Sequence, residues 1–372
     1  MQGHSHKPAG RKPDPARLIL HSRGLPQWMA QQKVSLALST YQAGRLFMLG
    51  QRQDGTLRAT ERLIEQCQGL WTNGQTLWAS GLHTLWRFEH NASAANAEGN
   101  GADRHFMPRE GRITGQIDIH DIGVGDLSQF GLETRDAPIF VCTAFNCLAT
   151  YSDTESFRPV WKPSFISEIT GEDRCHLNGL AMEDGKAHYV SAVSRSDMAD
   201  GWREKRISGG VIIDVQTHEI VADNLSMPHS PRLYRGALWV LDSGRGSLCK
   251  IDLKTRERED VAFCPGFARG LAFCGDYAII GLSKPRNNQT FDDLALEQLL
   301  QQKDTAPRCG LIIVDITTGR LVEWLRFEHT IEELYDVAVL DGVAQPELTG
   351  FMGETIKRRV NHEPLANTDP VS

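Results

Sequence analysis

The sequence predicts an all-β fold, a six-bladed β-propeller whose last blade is closed by strands from both ends of the chain. The first observation is a repeated phrase with a polar head, an apolar strand, a turn and an alternating strand, clearest in CHLNGLAMEDGKAHYVSAVS. The second is its spacing of roughly 40–65 residues, which is near the repeat length of propeller blades. The six copies align on Gly69, Asp121, Gly179, Arg232, Gly270 and Asp336.

The two ends of the repeat array are each incomplete, which is the third observation. Near the N-terminus, VSLALST, GRLFMLG and LRATERL read as three strands without a polar head. Near the C-terminus, EELYDVAVL supplies a head and one strand only. We expect this C-terminal strand to be the innermost strand of a sheet whose other three come from the N-terminus, which leaves no open seam in the ring.

Three segments divide the 372 residues. Residues 1–24 are polar and Pro-rich, have no apolar signal region, and are predicted to be a disordered tail. Residues 25–355 are predicted to form the propeller, which opens with a short helix in LPQWMAQQK. Residues 356–372 are predicted to be a C-terminal tail.

Three insertions are expected on the surface of the propeller. Residues 195–208 and 285–308 follow second strands, and both are expected to roof the face that carries the polar heads. The second of them contains FDDLALEQLLQQK, whose leucine spacing predicts an amphipathic helix. The segment from His90 to Glu110 is rich in Gly, Ala and Asn, and is expected to be a flexible loop on the opposite face.

Composition limits the classes of partner. The formal net charge of −7 argues against nucleic acid, because phosphate binding needs a basic face. No apolar run approaches the roughly 18 residues that cross a bilayer, so no membrane contact is expected. The eight cysteines form no CxxC pair, and we read them as reduced thiols of a cytoplasmic protein. The Gly-rich stretches are too short for phosphate loops, so no nucleotide cofactor is expected.

The polar heads open innermost strands, so they converge on the axis of the ring. Two histidines, His176 and His229, and Glu333 occupy equivalent positions, with Asp118 nearby. Such a set suits a divalent metal, namely zinc, iron or manganese. The alternative is that these histidines bond only waters and carbonyls of a wet channel. One position before the aligned residues lie Gln68, His120, Asn178, Pro231, Arg269 and Tyr335.

A second ring of polar residues is predicted where the second strands end, on the same face. Arginine and lysine there favour an anionic ligand, such as a carboxylate, phosphate or sulfate ester. The alternative is that the arginines pair with Asp197, Asp242 or Asp292 and bind nothing. The predicted substrate-binding residues of both rings are Gln42, Asn146, Asn178, Arg195, Arg269, Lys284 and Tyr335, with Arg286 as a further rim cation.

The phrase HLNGLAMEDGKAHYVSAVS resembles the blade motif of gluconolactonase and senescence-marker type propellers. That resemblance implies calcium, with Asn178 as one ligand, whereas Gln68, Pro231 and Arg269 stand where further ligands are expected. Across nearly the whole chain, STYQAGRLFMLG, EDRCHLNGLA, AVSRSDMADGWR and ELYDVAVL resemble a bacterial conserved-hypothetical propeller family. This second resemblance implies a fold without implying a reaction.

Three functions remain open at this point. The first is binding of an anionic small molecule at the central channel, with metal-assisted turnover by a hydrolase or oxidoreductase if the protein is an enzyme. His120 and Glu333 are then the candidate catalytic groups. The second is a non-catalytic scaffold that binds a partner protein through the roof insertions. The third is a calcium-dependent lactonase-like hydrolase. The sequence carries no signal for an oligomeric state.

Overall fold

Six mainly antiparallel sheets form the protein, and they are arranged in a ring. The computed structural model describes residues 19–93, 101–285, 292–328 and 331–363. The innermost strands of successive sheets contact one another in order around the axis, and the last contacts the first. The predicted six-bladed β-propeller is therefore confirmed.

The closing blade joins both ends of the chain, as predicted. Its innermost strand comes from the C-terminal part, and the other three come from the N-terminal part. The strands are, from the inside outwards, β25 (Val337–Asp341), β2 (Val34–Thr40), β3 (Arg45–Gln51) and β4 (Leu57–Leu63). Every residue of β2 is buried, because this strand is covered on both faces by the neighbouring blades.

Blade one follows the closing blade and carries an extra strand. Its strands are β5 (Leu70–Thr72), β6 (Thr76–Ser80), β7 (Thr84–His90), β8 (Arg104–Ile113) and the outer β26 (Pro346–Leu348), which pairs parallel to β8. The prediction of a loop from His90 to Glu110 is wrong in its second half, where β8 lies. Near its start the strand has three consecutive buried residues, and its alternating burial comes only in its second half, so the loop-like composition before it hid the start of the strand.

Blades two, three and four each have four strands in chain order. Blade two contains β9 (Ile119–Gly125), β10 (Ala137–Cys142), β11 (Cys147–Thr150) and β12 (Arg158–Trp161). Blade three contains β13 (Leu177–Glu183), β14 (Lys186–Ala192), β15 (Gly210–Asp214) and β16 (Ile220–Leu225). Blade four contains β17 (Pro228–Tyr234), β18 (Ala237–Asp242), β19 (Ser247–Ile251) and β20 (Arg258–Phe263).

Blade five also has a fifth strand, taken from the start of the chain. Its strands are β21 (Phe267–Cys274), β22 (Tyr277–Ser283), β23 (Gly310–Asp315), β24 (Arg320–Phe327) and the outer β1 (Ile19–His21). The sequence placed residues 19–21 in the N-terminal tail. They instead pair antiparallel with β24, and Ile19 is buried in the core that Phe327 and Leu25 share.

Helices are short and lie outside the sheets. Those that lie wholly within the described ranges are α1 (Leu25–Gln32), α2 (Ala295–Gln302) and α3 (Glu354–Arg358), with 3₁₀ turns at Leu127–Phe130 and Arg203–Lys205. The first two fall where the sequence predicted helices, and α3 begins just before the predicted C-terminal tail. Within the described ranges, no helix combines the length and the apolar character that a membrane span requires.

The two roof insertions pack together over one face. From α2, the buried side chains of Leu296 and Leu300 share a core cluster with Trp202 of the other insertion and with Phe267 of blade five. The amide of Leu296 also donates to the carbonyl of Gly244, at 2.9 Å. The apolar side of this helix is therefore turned towards the propeller.

Candidate functional site

A belt of alternating glycine and charged residues lies in or directly before the innermost strands of the six blades. The six aligned positions of the sequence repeat supply it: Gly69, Asp121, Gly179, Arg232, Gly270 and Asp336. Each charged side chain bonds the backbone of the residue that follows the glycine of the next blade. Asp121 accepts from the amide of Leu180 at 3.0 Å, and Asp336 accepts from that of Leu70 at 2.8 Å.

Arginine completes the same pattern with a donor. The Nε of Arg232 donates to the carbonyl of Leu271 at 3.0 Å. The glycines are needed because neighbouring blades approach closely: a Cβ on Gly270 would lie 2.7 Å from the Cα of Asp336. Burial and the nearby Asp121 raise the pKa of Asp336 to about 7. The belt thus holds two carboxylates and one guanidinium in a low-dielectric interior.

The polar heads lie around the axis at the start of the innermost strands. Two of them, Asp118 and His176, adopt left-handed backbone conformations with φ of 59° and 51°. Such conformations are costly for residues other than glycine and tend to occur where side chains are positioned for a function. We call the cluster formed by Asp118, His120, His176, Arg269 and Tyr335 the axial site.

In the axial site, Asp118 joins two residues of different blades. Its Oδ1 accepts from Nε2 of Gln68 at 2.7 Å, and its Oδ2 lies 3.2 Å from Nε2 of His120. Burial by itself raises the pKa of Asp118, but His120 and Gln68 outweigh burial and hold that pKa below its ordinary value. Burial lowers the pKa of His120 despite this carboxylate, so the imidazole is neutral near pH 7.

His176 is held by a residue that sequence reasoning missed. Its Nδ1 lies 3.0 and 2.9 Å from the two carboxylate oxygens of Asp173. The Nε1 of Trp202 donates to the same carboxylate at 2.8 Å, and its ring stacks on the imidazole at 4.2 Å between centroids. His176 also meets His120 edge to face, with ring centroids 5.1 Å apart.

His229 sits apart from this pair, in a fully bonded environment. Its Nδ1 lies 2.8 Å from the carbonyl of Met227, and its Nε2 lies 3.3 Å from Nδ2 of Asn178. Burial, followed by the nearby charge of Arg269, lowers the pKa of His229 well below its ordinary value. A neutral imidazole with Nδ1–H donating and Nε2 accepting accounts for both contacts.

Arg269 lies between two aromatic rings. Its guanidinium carbon is 4.9 Å from the ring centroid of Phe267 and 5.2 Å from that of Tyr335. The ring of Tyr335 in turn lies 5.3 Å from that of His120. Burial raises the pKa of Tyr335 well above its ordinary value, so the hydroxyl remains protonated and can donate. Cation–π contact keeps the arginine charge at the axis.

In the axial site, His120 and Tyr335 each have a buried polar atom without a hydrogen-bond partner within the described ranges. These atoms are Nδ1 of His120 and the hydroxyl oxygen of Tyr335. An unmade hydrogen bond costs a buried group about 1–3 kcal/mol. Buried polar groups in native proteins are almost always bonded, so each exception marks a place for a water, ion or ligand.

The second predicted ring is only partly assembled around this site. Asn146 is fully buried, and its Oδ1 accepts from the amide of Cys175, which fixes the backbone before His176. Lys284 forms an exposed pair with Glu332 at 3.5 Å. Gln42 and Arg195 are exposed. Glu333 is buried, and its backbone forms an isolated antiparallel β-bridge with that of Ser283. Arg286 lies outside the described residues.

The carboxylates predicted as alternative partners of the rim arginines mostly form ion pairs with other arginines. Asp197 pairs with Arg174 at 2.8 Å, so it does not neutralise Arg195. Asp242 pairs with Arg245 and Arg258, at 3.0 and 2.7 Å. Within the part of the chain that is described, Arg195 has no ion-pair partner, and its charge remains available at the face with the roof.

The predicted metal set is not brought together. Within the described ranges, no group of three or more His, Cys, Asp or Glu side chains could hold a metal ion. The reason is visible at His229, whose two ring nitrogens are both engaged. The calcium set implied by resemblance fits no better, because calcium prefers carboxylate oxygens and Arg269 places a cation at one ligand position.

Two signals in the sequence could have identified more of the site. The carboxylate three residues before His176 is Asp173, and the tryptophan of the 195–208 insertion is Trp202. Neither belongs to the repeated phrase, so counting aligned positions passed over both. The belt residues occupy the aligned positions of the repeat, and their alternation of glycine with charge is a further signal in the sequence.

Fold and site together define a six-bladed β-propeller with a polar, histidine-rich cluster on its axis. A family model described as "Domain of unknown function (DUF4915)" matches residues 23–349. The chain therefore belongs to the DUF4915 family. No curated protein matches it by sequence.

Similarity to a solved structure supports the fold alone. A chain of the crystal structure of a nidogen/laminin complex is 10% identical, with a TM-score of 0.51. The match covers 83% of this chain and 99% of that chain. At this identity the likeness carries no information about ligand or reaction.

Proposed function

We propose that the protein binds a small hydroxylated anion, such as a hydroxycarboxylate, at the axial site. One observation carries the proposal: the Tyr335 hydroxyl and Nδ1 of His120 are buried atoms without partners in the described part of the chain, on rings 5.3 Å apart. The positive charge of Arg269 lies against the ring of the same tyrosine.

The Tyr335 hydroxyl and Nδ1 of His120 require different groups on the ligand. The Tyr335 hydroxyl is protonated and donates, so it fits a carboxylate or phosphate oxygen. Asp118 accepts at Nε2 of His120, so in the neutral ring Nδ1 carries the lone pair and accepts a hydrogen bond. A ligand that offers both an anionic oxygen and a hydroxyl satisfies both atoms.

Charge around the axial site supports the same class of ligand. Arg269 near the axis and the exposed Arg195, which has no ion-pair partner among the described residues, carry positive charge in a protein whose formal net charge is −7. A cation held between aromatic rings loses little conformational entropy when a ligand binds, because its side chain is already ordered. A charge-assisted bond from an arginine to an anion is about twice as strong as a neutral one.

A thermal-shift titration tests this proposal. Malate and succinate differ by one hydroxyl, and phosphate and gluconate extend the series. We expect malate or gluconate to raise the melting temperature more than succinate, because succinate has no hydroxyl for Nδ1 of His120. A ligand at 100 times its Kd stabilises a protein by about 2.7 kcal/mol. The shift should shrink in Tyr335→Phe. It should persist in Tyr277→Phe, whose ring packs on Trp28 away from the axial site.

Two results would overturn the proposal. One is a flat response of the wild-type protein to every anion of the series. The other is an equal shift in wild type and Tyr335→Phe, because the missing hydroxyl would then play no part in binding.

A further inference from the structure

We infer that His176 is the proton-accepting group of the axial site, and that Asp173 and Trp202 are its positioning residues. The inference rests on the proposed function, because the bound hydroxylated anion supplies the proton. In that step a ligand O–H bond breaks and an Nε2–H bond forms on His176. The bonding electron pair stays on the ligand oxygen, and the imidazole becomes an imidazolium beside Asp173.

The contact with Asp173 determines which nitrogen can accept. Both carboxylate oxygens lie within 3.0 Å of Nδ1, and a carboxylate is an acceptor only. Nδ1 therefore carries the hydrogen, and Nε2 carries the lone pair of the neutral ring. The same carboxylate would stabilise the imidazolium after proton transfer, as the aspartate of a catalytic triad does.

Trp202, in the 195–208 insertion, contacts both Asp173 and His176. Its indole N–H donates to Asp173 at 2.8 Å, and its ring lies nearly parallel to that of His176, at 29°. The tryptophan is itself buried, at 3% exposure, among residues of α2 and blades three to five. One residue of the 195–208 insertion thus restrains both the carboxylate and the imidazole.

The other two histidines are poorer candidates for this role. His229 has partners at both ring nitrogens. His120 offers Nδ1 as a hydrogen-bond acceptor for the ligand, but burial lowers the pKa of the ring, so this imidazole holds a proton poorly. The side chain of His176 is 14% exposed, and its Nε2 has no hydrogen-bond partner in the described ranges. Of these three histidines, His176 combines a tautomer oriented by Asp173 with an Nε2 that no described residue bonds, on a partly exposed side chain.

Nitrogen NMR of the full chain tests the positioning without any ligand. Protein labelled with ¹⁵N-histidine reports which ring nitrogen carries the hydrogen, and His176→Gln assigns the signal. We expect the Nδ1–H form of His176 at pH 8 in the wild type and in Trp202→Phe. Asp173→Ala should move the ring towards Nε2–H. An Nε2–H form in the wild type, or an unchanged tautomer in Asp173→Ala, would overturn the inference.

Chemical reactivity provides the second readout. Diethyl pyrocarbonate attacks an unprotonated, accessible imidazole nitrogen, and peptide mass spectrometry locates the adduct. We expect His176 to react faster than His120 and His229. Its reaction should slow several-fold in Asp173→Asn. This variant retains a hydrogen-bond acceptor and is used in case Asp173→Ala does not fold. Equal rates in wild type and Asp173→Asn would contradict the assignment. Because neither readout uses the anion, their failure is distinct from failure of the proposed function.

Discussion

The guanidinium of Arg232 donates two hydrogen bonds to the carboxylate of Asp121, at 2.7 and 3.2 Å, across 111 residues of sequence. Asp336 lies close enough to both for its pKa to respond to each of them. One cation therefore serves two buried carboxylates at the centre of the ring. This belt adjoins the axial site, because Asp121, Gly270 and Asp336 directly follow His120, Arg269 and Tyr335 in the sequence.

Removing the belt cation should be costly. Arg232→Met leaves the charge of Asp121 buried without its partner, and breaking a buried pair in this way costs about 3–5 kcal/mol. Urea unfolding measures the loss. The control is Arg235→Gln, three residues on, whose pair with Asp276 is exposed and should hardly matter. A similar small change in both variants would show that the belt charges do not stabilise the fold.

Protonation of Asp336 should make stability depend on pH. Its folded pKa is about 7, above the ordinary value of 3.8, so the folded state binds more protons than the unfolded state between those values. The free energy of unfolding then falls as pH rises through this window, by at most ~1.4 kcal/mol per pH unit for one group.

The variant Asp336→Asn isolates this contribution. Buried neutral histidines such as His229 act in the opposite direction, because stability is lost when they are protonated at lower pH. The comparison is therefore the difference between wild type and variant, measured by urea unfolding from pH 5 to pH 8. Asp341→Asn, at the exposed end of β25, the strand that Asp336 directly precedes, is the control. Parallel profiles for wild type and Asp336→Asn would contradict the prediction.

Close approach of the blades should make Gly270 intolerant of a side chain. Its φ of 74° is close to the φ of Gly131, which is 78°. A Cβ added at Gly270 would lie 2.7 Å from the Cα of Asp336, whereas a Cβ added at Gly131 would meet no described atom within 4 Å. Gly131→Ala should cost the conformational penalty alone, about 1–2 kcal/mol. Gly270→Ala should cost clearly more, as measured by thermal unfolding. Equal losses would mean that the blades can separate at this point.

Packing of α2 distinguishes the scaffold hypothesis from the site hypothesis. A docking helix would keep its apolar side available, but Leu296 is 1% exposed in a cluster with Trp202. Leu296→Ala should destabilise the protein by about 2–5 kcal/mol. The exposed Gln301→Ala on the same helix should have little effect. A stable Leu296→Ala protein would mean that α2 does not contribute to the core.

Repetition is the reason that the sequence predicts this fold well. Strand alternation and turn residues are local, and six copies reinforce one another, so even the closure of β25 onto β2 could be inferred from two incomplete ends. The outer strands β1 and β26 escaped prediction because a strand of three residues is too short to carry a periodic signal. Each forms only by pairing with a sheet edge far away in sequence.

The axial site was predicted in its location but not in its bonds. Counting from the aligned positions correctly brought His120, His176 and Tyr335 together, because equivalent blade positions meet on the axis. Which atom bonds which depends on backbone turns and on the insertions. His229 is directed to the carbonyl of Met227, and His176 to Asp173, by contacts that lie outside the repeat.

A crystal structure grown with the anion that stabilises the protein most would test the central claim most directly. The account predicts ligand density at the axial site, with an anionic oxygen within about 3 Å of the Tyr335 hydroxyl and a ligand hydroxyl near Nδ1 of His120. Ligand density only at the outer surface, with the Tyr335 hydroxyl bonded to another protein group, would contradict it.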